Sequence, residues 1–397
     1  VPKTVSLAIV DEEGRPLGVL PSFEVDFPYW QETTKIVAGA REHYGVEVTV
    51  LRILTTSPGV QSGGAVSYLA QADGIPAAYA GPIDVDLSPH PDRAAYAEPG
   101  GPKASLRWAE TALAALNHGP VNAATQHRTW NLSTIWQLDT PAGPVWLKQV
   151  PLFFRHEAPV LRWLAGVHAP SVPVLLASAD GRMLLDHIAG EDLYHADLEL
   201  RAAIAVDFHR LQAASVGQVA QLLALGVPDR RTDPLLASIS GVVARFGGDD
   251  VRLRDLVDGL PTRMAAVAAC GVPDALVHGD LHPGNVRGDR TRRVIIDWGD
   301  SCVAHPAFDI MRLTETLDPR SAEPLVDAWA RRWQQAAPAS RPLRALELLR
   351  PVGALRNAVT YAHFLDQIEP AEHPYHAADV PFWLGQAADL AGEHAFS

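Results

Sequence analysis

One short stretch of the chain concentrates side chains that can do chemistry: Leu276-Val277-His278-Gly279-Asp280-Leu281-His282-Pro283-Gly284-Asn285, followed by Val294-Ile295-Ile296-Asp297-Trp298-Gly299-Asp300. Asp280 and Asn285 stand five residues apart across a Pro-Gly turn, so both can point into one cavity, and Asp297 closes a β-branched strand beside them. Phosphoryl transfer needs a carboxylate near the attacking hydroxyl and oxygen ligands for Mg²⁺. Asp280, Asn285 and Asp297 supply both. A zinc hydrolase would instead use His278, His282 and Asp297, because histidines at i and i+4 share a metal on a helix. Pro283 and Gly284 argue against that helix, and the plainer role of hydrogen-bonded loop histidine is favoured for His278, His282 and His305. An isolated Asp-Gly or His-Pro pair is ordinary turn chemistry; the whole ordered set is poorly explained as solvated loop polars.

The rest of the chain must position these groups. Its 397 residues exceed what one core usually serves, so two or three units are expected. Forty-six acidic against 33 basic side chains leave a formal charge of -13, the wrong sign for neutralising phosphate backbones, and no nucleic-acid partner is expected. Cys270 and Cys302 are too few for a disulfide framework and wrongly spaced for a zinc knuckle, which suits a reducing, cytoplasmic setting. No segment approaches the roughly 20 consecutive apolar residues of a membrane span, so no membrane partner is expected. Val5 to Val10 runs into Asp11-Glu12-Glu13 and reads as a first strand, not a secretory signal. Without an export signal, the Asn131-Leu132-Ser133 glycosylation match reads as accidental.

Apolar runs at Val5 to Val10 and Leu17 to Leu20, around a turn-rich Asp11 to Pro16, predict a hairpin. Trp30, Ile36, Val37, Ala40 and Tyr44 have helical spacing with Gly45 as the stop, and strands follow at Val46 to Leu54 and Ala65 to Ala70. The Pro-, Asp- and Gly-crowded stretch from Gly81 to Pro102 reads as a boundary before a helix at Ala104 to Leu116. Gln126 to Gln137 and Val145 to Gln149 predict a three-stranded antiparallel meander. A helix from about His156 to Leu164 and strands near Val172 to Ala177 and Met183 to Ile188 complete that unit, with Gly190 ending it. From about Glu199 the pattern is mostly helical, interrupted between Leu276 and Ile296, where function is expected.

HGDLHPGN with IDWGD, then Ala304-His305-Pro306-Ala307-Phe308-Asp309-Ile310, resembles in order the catalytic loop, metal-binding strand and following structural motif of the aminoglycoside phosphotransferase and choline-kinase-like branch of the protein-kinase fold. The resemblance covers roughly Val121 to Asp318. It implies an α+β, protein-kinase-like two-lobed fold, with an additional N-terminal α+β cap at 1–102, an ATP-binding lobe at 103–190 and a mostly helical lobe at 191–397. It makes Asp280 the catalytic base, Asn285 and Asp297 the Mg²⁺ ligands and Asp309 a structural anchor. Lys148, in Trp146-Leu147-Lys148-Gln149, would pair with the α and β phosphates of ATP, and Glu157, nine residues later, would hold that lysine in place. Pro159 suggests that the helix begins close to Glu157.

The phosphate-covering turn, Arg128 to Trp136, lacks the glycines of protein kinases. The resemblance offers Asn131, Ser133 and Thr134 as donors to phosphate oxygens, and a polar hairpin tip accounts for the same residues equally well. Met183 to Gly190 resembles the adenine-binding hinge, though a plain core strand reads identically. The first hundred residues lie outside the resemblance. Their order is vaguely Nudix-like, but Arg41-Glu42-His43-Tyr44-Gly45 lacks the paired glutamates of a Nudix metal helix, and a cap as in maltokinase-like relatives is preferred.

The function so implied is ATP- and Mg²⁺-dependent transfer of the γ-phosphate to a hydroxyl of a small molecule: an aminoglycoside, sugar, amino-alcohol or other natural product. Fold does not choose among these acceptors. Asp300, Asp366 and Glu369 are the candidates for holding amine or hydroxyl groups, with Tyr361, His363 and Trp383 nearby in sequence; each could equally be surface or core. The non-enzyme alternative, a nucleotide-binding pseudokinase using its first domain for interaction, is disfavoured by the retention of Lys148, Asp280, Asn285 and Asp297.

Overall fold

In the computed structural model, which describes residues 2–393, Lys3–Val10 (β1) and Pro16–Val25 (β2) form the expected antiparallel hairpin. Asp11 shapes its turn, with Oδ1 accepting from the Glu13 and Arg15 amides at 3.0 and 2.8 Å. The next helix, Thr34–Tyr44 (α1), starts later than its apolar spacing suggests. Tertiary contacts hold the preceding residues: Lys3 Nζ donates to the Tyr29 and Glu32 carbonyls at 2.6 and 3.2 Å, and Trp30 Nε1 donates to Gly63 O at 2.8 Å. The helix ends at Gly45, whose φ of 67° is the left-handed stop the sequence predicts. Thr49–Thr56 (β3) and Gly64–Gln71 (β4) follow, and the four-stranded order is β2-β1-β4-β3 with β1 and β4 parallel. Val5, Leu7, Ile9, Ile36, Ala40 and Tyr68 bury the face between this sheet and α1.

Gly101–Ala115 (α2) precedes the second sheet: Ala123–Trp130 (β5), Ser133–Thr140 (β6), Gly143–Gln149 (β7), Leu175–Ala179 (β8) and Arg182–Asp186 (β9). The order is β5-β6-β7-β9-β8, antiparallel throughout, so the expected meander is the larger part of one five-stranded sheet. Ala109 and Leu113 of α2 pack on Trp136, Leu138, Leu147 and Leu184.

Both sheets belong to one compact unit: the residues through Arg155, Leu175–His187, and a late segment, Phe364–Ala378. Gln126 joins the sheets by imitating a strand partner, donating to Val50 O at 2.7 Å and accepting from Val50 N at 2.9 Å. The late segment fills a socket that no sequence pattern signals. Tyr375 lies edge-on to Trp30 and Trp130 at 5.6 and 5.5 Å, and Glu369 pairs with Arg93 at 2.9 Å and Arg52 at 3.5 Å.

Glu372, beside them, accepts from the Ile53 amide at 3.2 Å and is 4 % exposed. Burial, then the neighbouring Glu369, push its carboxyl up to about 8. A raised folded-state value means the native state holds the proton more tightly than the unfolded chain. Its stabilising contribution is complete below the unfolded value, near pH 4.5, and is lost as pH rises through about 8. Denaturation followed from pH 5 to 8 should therefore show a loss on the order of a few kcal/mol that Glu372→Gln largely removes. An unchanged slope in that variant would show that Glu372 is not the titrating group.

The second unit comprises His156–Val174, Ile188–His363 and the residues from Asp379. It opens with Glu157–His168 (α3), which starts at Glu157 with Pro159 in its first turn, then Glu191–Asp192 (β10). Leu198–Ser215 (α4), capped by the Asp197 side chain on the Leu200 amide, Val219–Ala224 (α5), Thr232–Phe246 (α6) and Val251–Ala268 (α7) follow. The irregular segment holds Ala275–Val277 (β11), Val286–Gly288 (β12), Arg293–Ile295 (β13) and Cys302–Ala304 (β14), paired as β10-β12-β13 and β11-β14. Ala307–Thr314 (α8), Pro319–Ala336 (α9), Pro342–Leu365 (α10) and Asp379–Glu393 (α11) complete the chain. Among the described residues no helix is long and apolar enough to cross a membrane.

Candidate active site

The chemistry-bearing residues lie where the short strands of the second unit stop. β11 ends at Val277, and the next three residues turn sharply because Gly279 takes φ 92°. A Cβ there would meet Asp300 O at 2.2 Å, so only glycine lets the loop pass this close. His278 is fully buried; its Nδ1 accepts from the Asp280 amide at 3.3 Å and its Nε2 faces Ile296 O at 2.9 Å. Both ring nitrogens are thereby engaged inside the loop, which leaves none for a metal and disposes of the zinc arrangement. His282 and His305 are likewise loop-shaping, accepting from the Gly284 and Ala307 amides through Nδ1 at 3.0 and 3.1 Å.

Asp280 is held on both oxygens. Oδ1 accepts from Arg312 Nε at 2.7 Å; Oδ2 accepts from Asn285 Nδ2 at 3.0 Å and lies 3.4 Å from His282 Nε2. Burial alone would raise this carboxyl, but the His282 hydrogen bond and the Arg312 charge outweigh it and keep it below the usual carboxylate range. Asn285 Nδ2 also donates to Asp280 O at 2.9 Å, which fixes the amide and leaves Oδ1 as its acceptor. Asp297 follows β13 with an exposed side chain and a left-handed backbone, φ 64° and ψ 63°, a conformation that aspartate and asparagine adopt more readily than other side chains. A carboxylate and an amide oxygen suit the hard oxygen coordination of Mg²⁺.

Asp309, at the start of α8, braces the loop. Its Oδ2 accepts from the His278 amide and Gln212 Nε2, both at 3.0 Å, and its Oδ1 from the Gly279 amide at 3.0 Å. Burial pushes this carboxyl up to about 7 against the pull of those donors and of Arg356. Arg356, from α10, donates to Gly279 O at 3.2 Å from a buried position over the Phe308 ring. Sequence reasoning missed Arg312 and Arg356. Arg312 had one signal, its i+3 spacing from Asp309 on the same helix; Arg356 had none.

The remaining candidates divide between the two units. Glu157 belongs to the second unit, is 2 % exposed, and accepts from the Trp298 amide at 3.2 Å, so α3 pins the backbone that follows Asp297. Asp300 is half-buried in the same unit. Lys148, in the first unit, is a buried residue of β7, in register between Ile135 and Met183. Asn131 exchanges hydrogen bonds with Glu372 O at 3.4 Å and His376 Nε2 at 3.1 Å, Ser133 Oγ accepts from Trp130 Nε1 at 3.3 Å, and Thr134 Oγ1 donates to Arg128 O at 3.2 Å. The Asn131 side chain is thus engaged by the late segment, and those of Ser133 and Thr134 within the hairpin. Asp366 is exposed in the first unit, and Glu369 there is committed to its two arginines.

This α+β, protein-kinase-like fold and its braced aspartate loop define a small-molecule phosphotransferase. Residues 126–346, more than half of the chain, match the family described as the phosphotransferase enzyme family, and the chain belongs to it: it is a small-molecule kinase with a hydroxyl acceptor. Among solved structures it is similar in fold to the GDP complex of aminoglycoside 2'-phosphotransferase-IIIa, at 15 % identity and TM-score 0.51, over 73 % of this chain and 99 % of that one. It is also similar to the choline kinase LicA from Streptococcus pneumoniae, at 13 % identity and TM-score 0.52, over 71 % and 98 % of the two chains. Macrolide 2'-phosphotransferase MphH from Brachybacterium faecium gives 18 % identity and TM-score 0.50, over 68 % and 96 %. No curated protein matches the chain.

Proposed function

We propose that the chain transfers the γ-phosphoryl group of ATP, as its Mg²⁺ complex, to a hydroxyl of a small organic molecule. The observation that carries this reading is Asp280, a carboxylate oriented on both oxygens by Arg312, Asn285 and His282 within a loop braced by Asp309. The acceptor oxygen forms a bond to the γ-phosphorus while the bond from that phosphorus to the β,γ-bridging oxygen breaks; ADP leaves with the electron pair and the hydroxyl proton passes to Asp280. A carboxylate held this acidic is a weak base. It suits a loose transition state in which the nucleophile is oriented first and surrenders its proton late.

Asn285 and Asp297 would hold Mg²⁺, which supplies neutralisation of charge on the β and γ phosphates. Lys148 is assigned to the α and β phosphates, and Glu157 to the same nucleotide-binding set. Asn131, Ser133 and Thr134 are assigned to the phosphate-covering turn. Asp300, Asp366 and Glu369 remain assigned to acceptor binding, Glu369 on condition that its arginine pairs yield. The division at 102 and 190 is retained as one of roles: stabilising cap, nucleotide-binding segment, and catalytic segment with acceptor site. The cytoplasm is the proposed location.

Asp297→Asn separates charge from conformation, because asparagine also tolerates the left-handed backbone. It should weaken Mg²⁺-dependent binding of a non-hydrolysable ATP analogue at least about tenfold and leave metal-free binding unchanged. Calorimetric titration with and without Mg²⁺ measures both; wild-type affinity in the presence of Mg²⁺ would remove Asp297 from the metal site.

A further inference from the structure

The second unit contains a cavity of about 750 Å³ walled by α8, α9, α10 and α11. Two of its lining side chains reach the catalytic loop. Arg312 donates to Asp280 Oδ1 at 2.7 Å, and Arg356 donates to Gly279 O at 3.2 Å. The cavity and the catalytic loop therefore share Arg312 and Arg356, and Arg312 stands between the cavity and Asp280.

Its size and chemistry restrict what can occupy it. Cavities for drug-sized ligands run from about 300 to 1,000 Å³, so a small amino-alcohol would leave most of this one unfilled. Much of the wall is hydrocarbon and aromatic, contributed by Leu317, Val326, Leu343, Leu346, Trp383 and Leu390. Leu343 is 48 % exposed, apolar surface that an occupant would cover. Most of the charges are already spent. Arg312 pairs with Asp280 and Glu315, Arg356 is buried beneath the loop, and Glu347 pairs with Arg344. Glu323 and Asp327, four residues apart on one face of α9, and Arg350 form no ion pair among the described residues. Two carboxylates against one guanidinium favour a single cation and give a polycation too few counter-charges.

We infer that the acceptor is a bulky, mostly hydrocarbon alcohol carrying no more than one amine, seated in this cavity with its hydroxyl directed past Arg312 to Asp280 and its amine toward Asp327. The inference rests on the phosphotransferase reading, narrows its substrate class, and moves the acceptor's charged contact to Asp327 from Asp300, Asp366 and Glu369, none of which lines this cavity. It predicts that polyamine sugars and small amino-alcohols are poor acceptors.

The test is calorimetric binding to the full chain of four alcohols: quinine, bulky with one basic amine; β-estradiol, bulky and uncharged; kanamycin, polycationic; and choline, small. ATP-dependent phosphate transfer to each is followed in parallel. Quinine and β-estradiol should bind at least about tenfold more tightly than kanamycin or choline, a difference of about 1.4 kcal/mol. Val326→Trp, which fills the cavity, should weaken both bulky probes at least about tenfold. Asp327→Asn, a milder change on a half-buried site, should weaken quinine about fivefold or more and leave β-estradiol unchanged. Tighter binding of kanamycin or choline, no binding of either bulky probe at about 1 mM, or binding indifferent to both substitutions would overturn the assignment. Bulky-probe binding without transfer from ATP to any alcohol would count against the kinase reading while sparing the cavity; transfer to kanamycin or choline would do the reverse.

Discussion

Asp280→Asn should lower turnover by about 10²–10⁴-fold, the span that a positioned acid–base group usually contributes, while affinity for the ATP–Mg²⁺ complex stays within about threefold of wild type. Asparagine keeps an oxygen near Arg312 and the size of the side chain, but it loses the negative charge proposed to orient the hydroxyl and to take its proton. Arg312 loses one carboxylate and keeps Glu315, so the loop should hold its place. Steady-state ATP consumption with the best acceptor, alongside calorimetric nucleotide titration, separates the two effects. Near-normal turnover in this variant would refute the mechanism, and loss of nucleotide binding in equal measure would show that Asp280 belongs to the metal site instead.

Asp309→Ala should destabilise the protein by about 3–5 kcal/mol, because one substitution strands several buried partners at once. The His278 and Gly279 amides and Gln212 lose their shared acceptor, and buried Arg356 loses a neighbouring negative charge. Asp309→Asn, which still offers one oxygen, should cost less. Urea denaturation gives the comparison directly; equal stability of all three proteins would mean that the loop is held by its chain path and not by this carboxylate. Activity should fall alongside stability in Asp309→Ala, since Asp280 is carried on the loop that Asp309 fastens.

The geometry of the Asp280 loop was legible in the sequence because its requirements are local. Gly279 must turn where a Cβ would strike Asp300 O, Asn285 must return to Asp280 across Pro283 and Gly284, and Asp297 must stand at the end of a short strand. Each condition involves residues within about twenty positions of one another, and turn chemistry and strand periodicity write such conditions into the chain. The hairpins, the meander and the stop at Gly45 were readable for the same reason.

Long-range packing decided the rest. The parallel pairing of β1 with β4 depends on a connection through β2, α1 and β3 that no strand pattern specifies. Glu369 reads in the sequence as an acceptor-binding candidate, yet with Glu372 and Tyr375 it completes the first unit some three hundred residues from Arg52 and Ile53. Arg312 and Arg356 drew no assignment from the sequence; α8 and α10 bring one to the Asp280 carboxylate and the other beneath Gly279. Periodicity records which face of an element is apolar; it does not record which distant element that face meets, and a buried charge is tolerated only where folding delivers its partner.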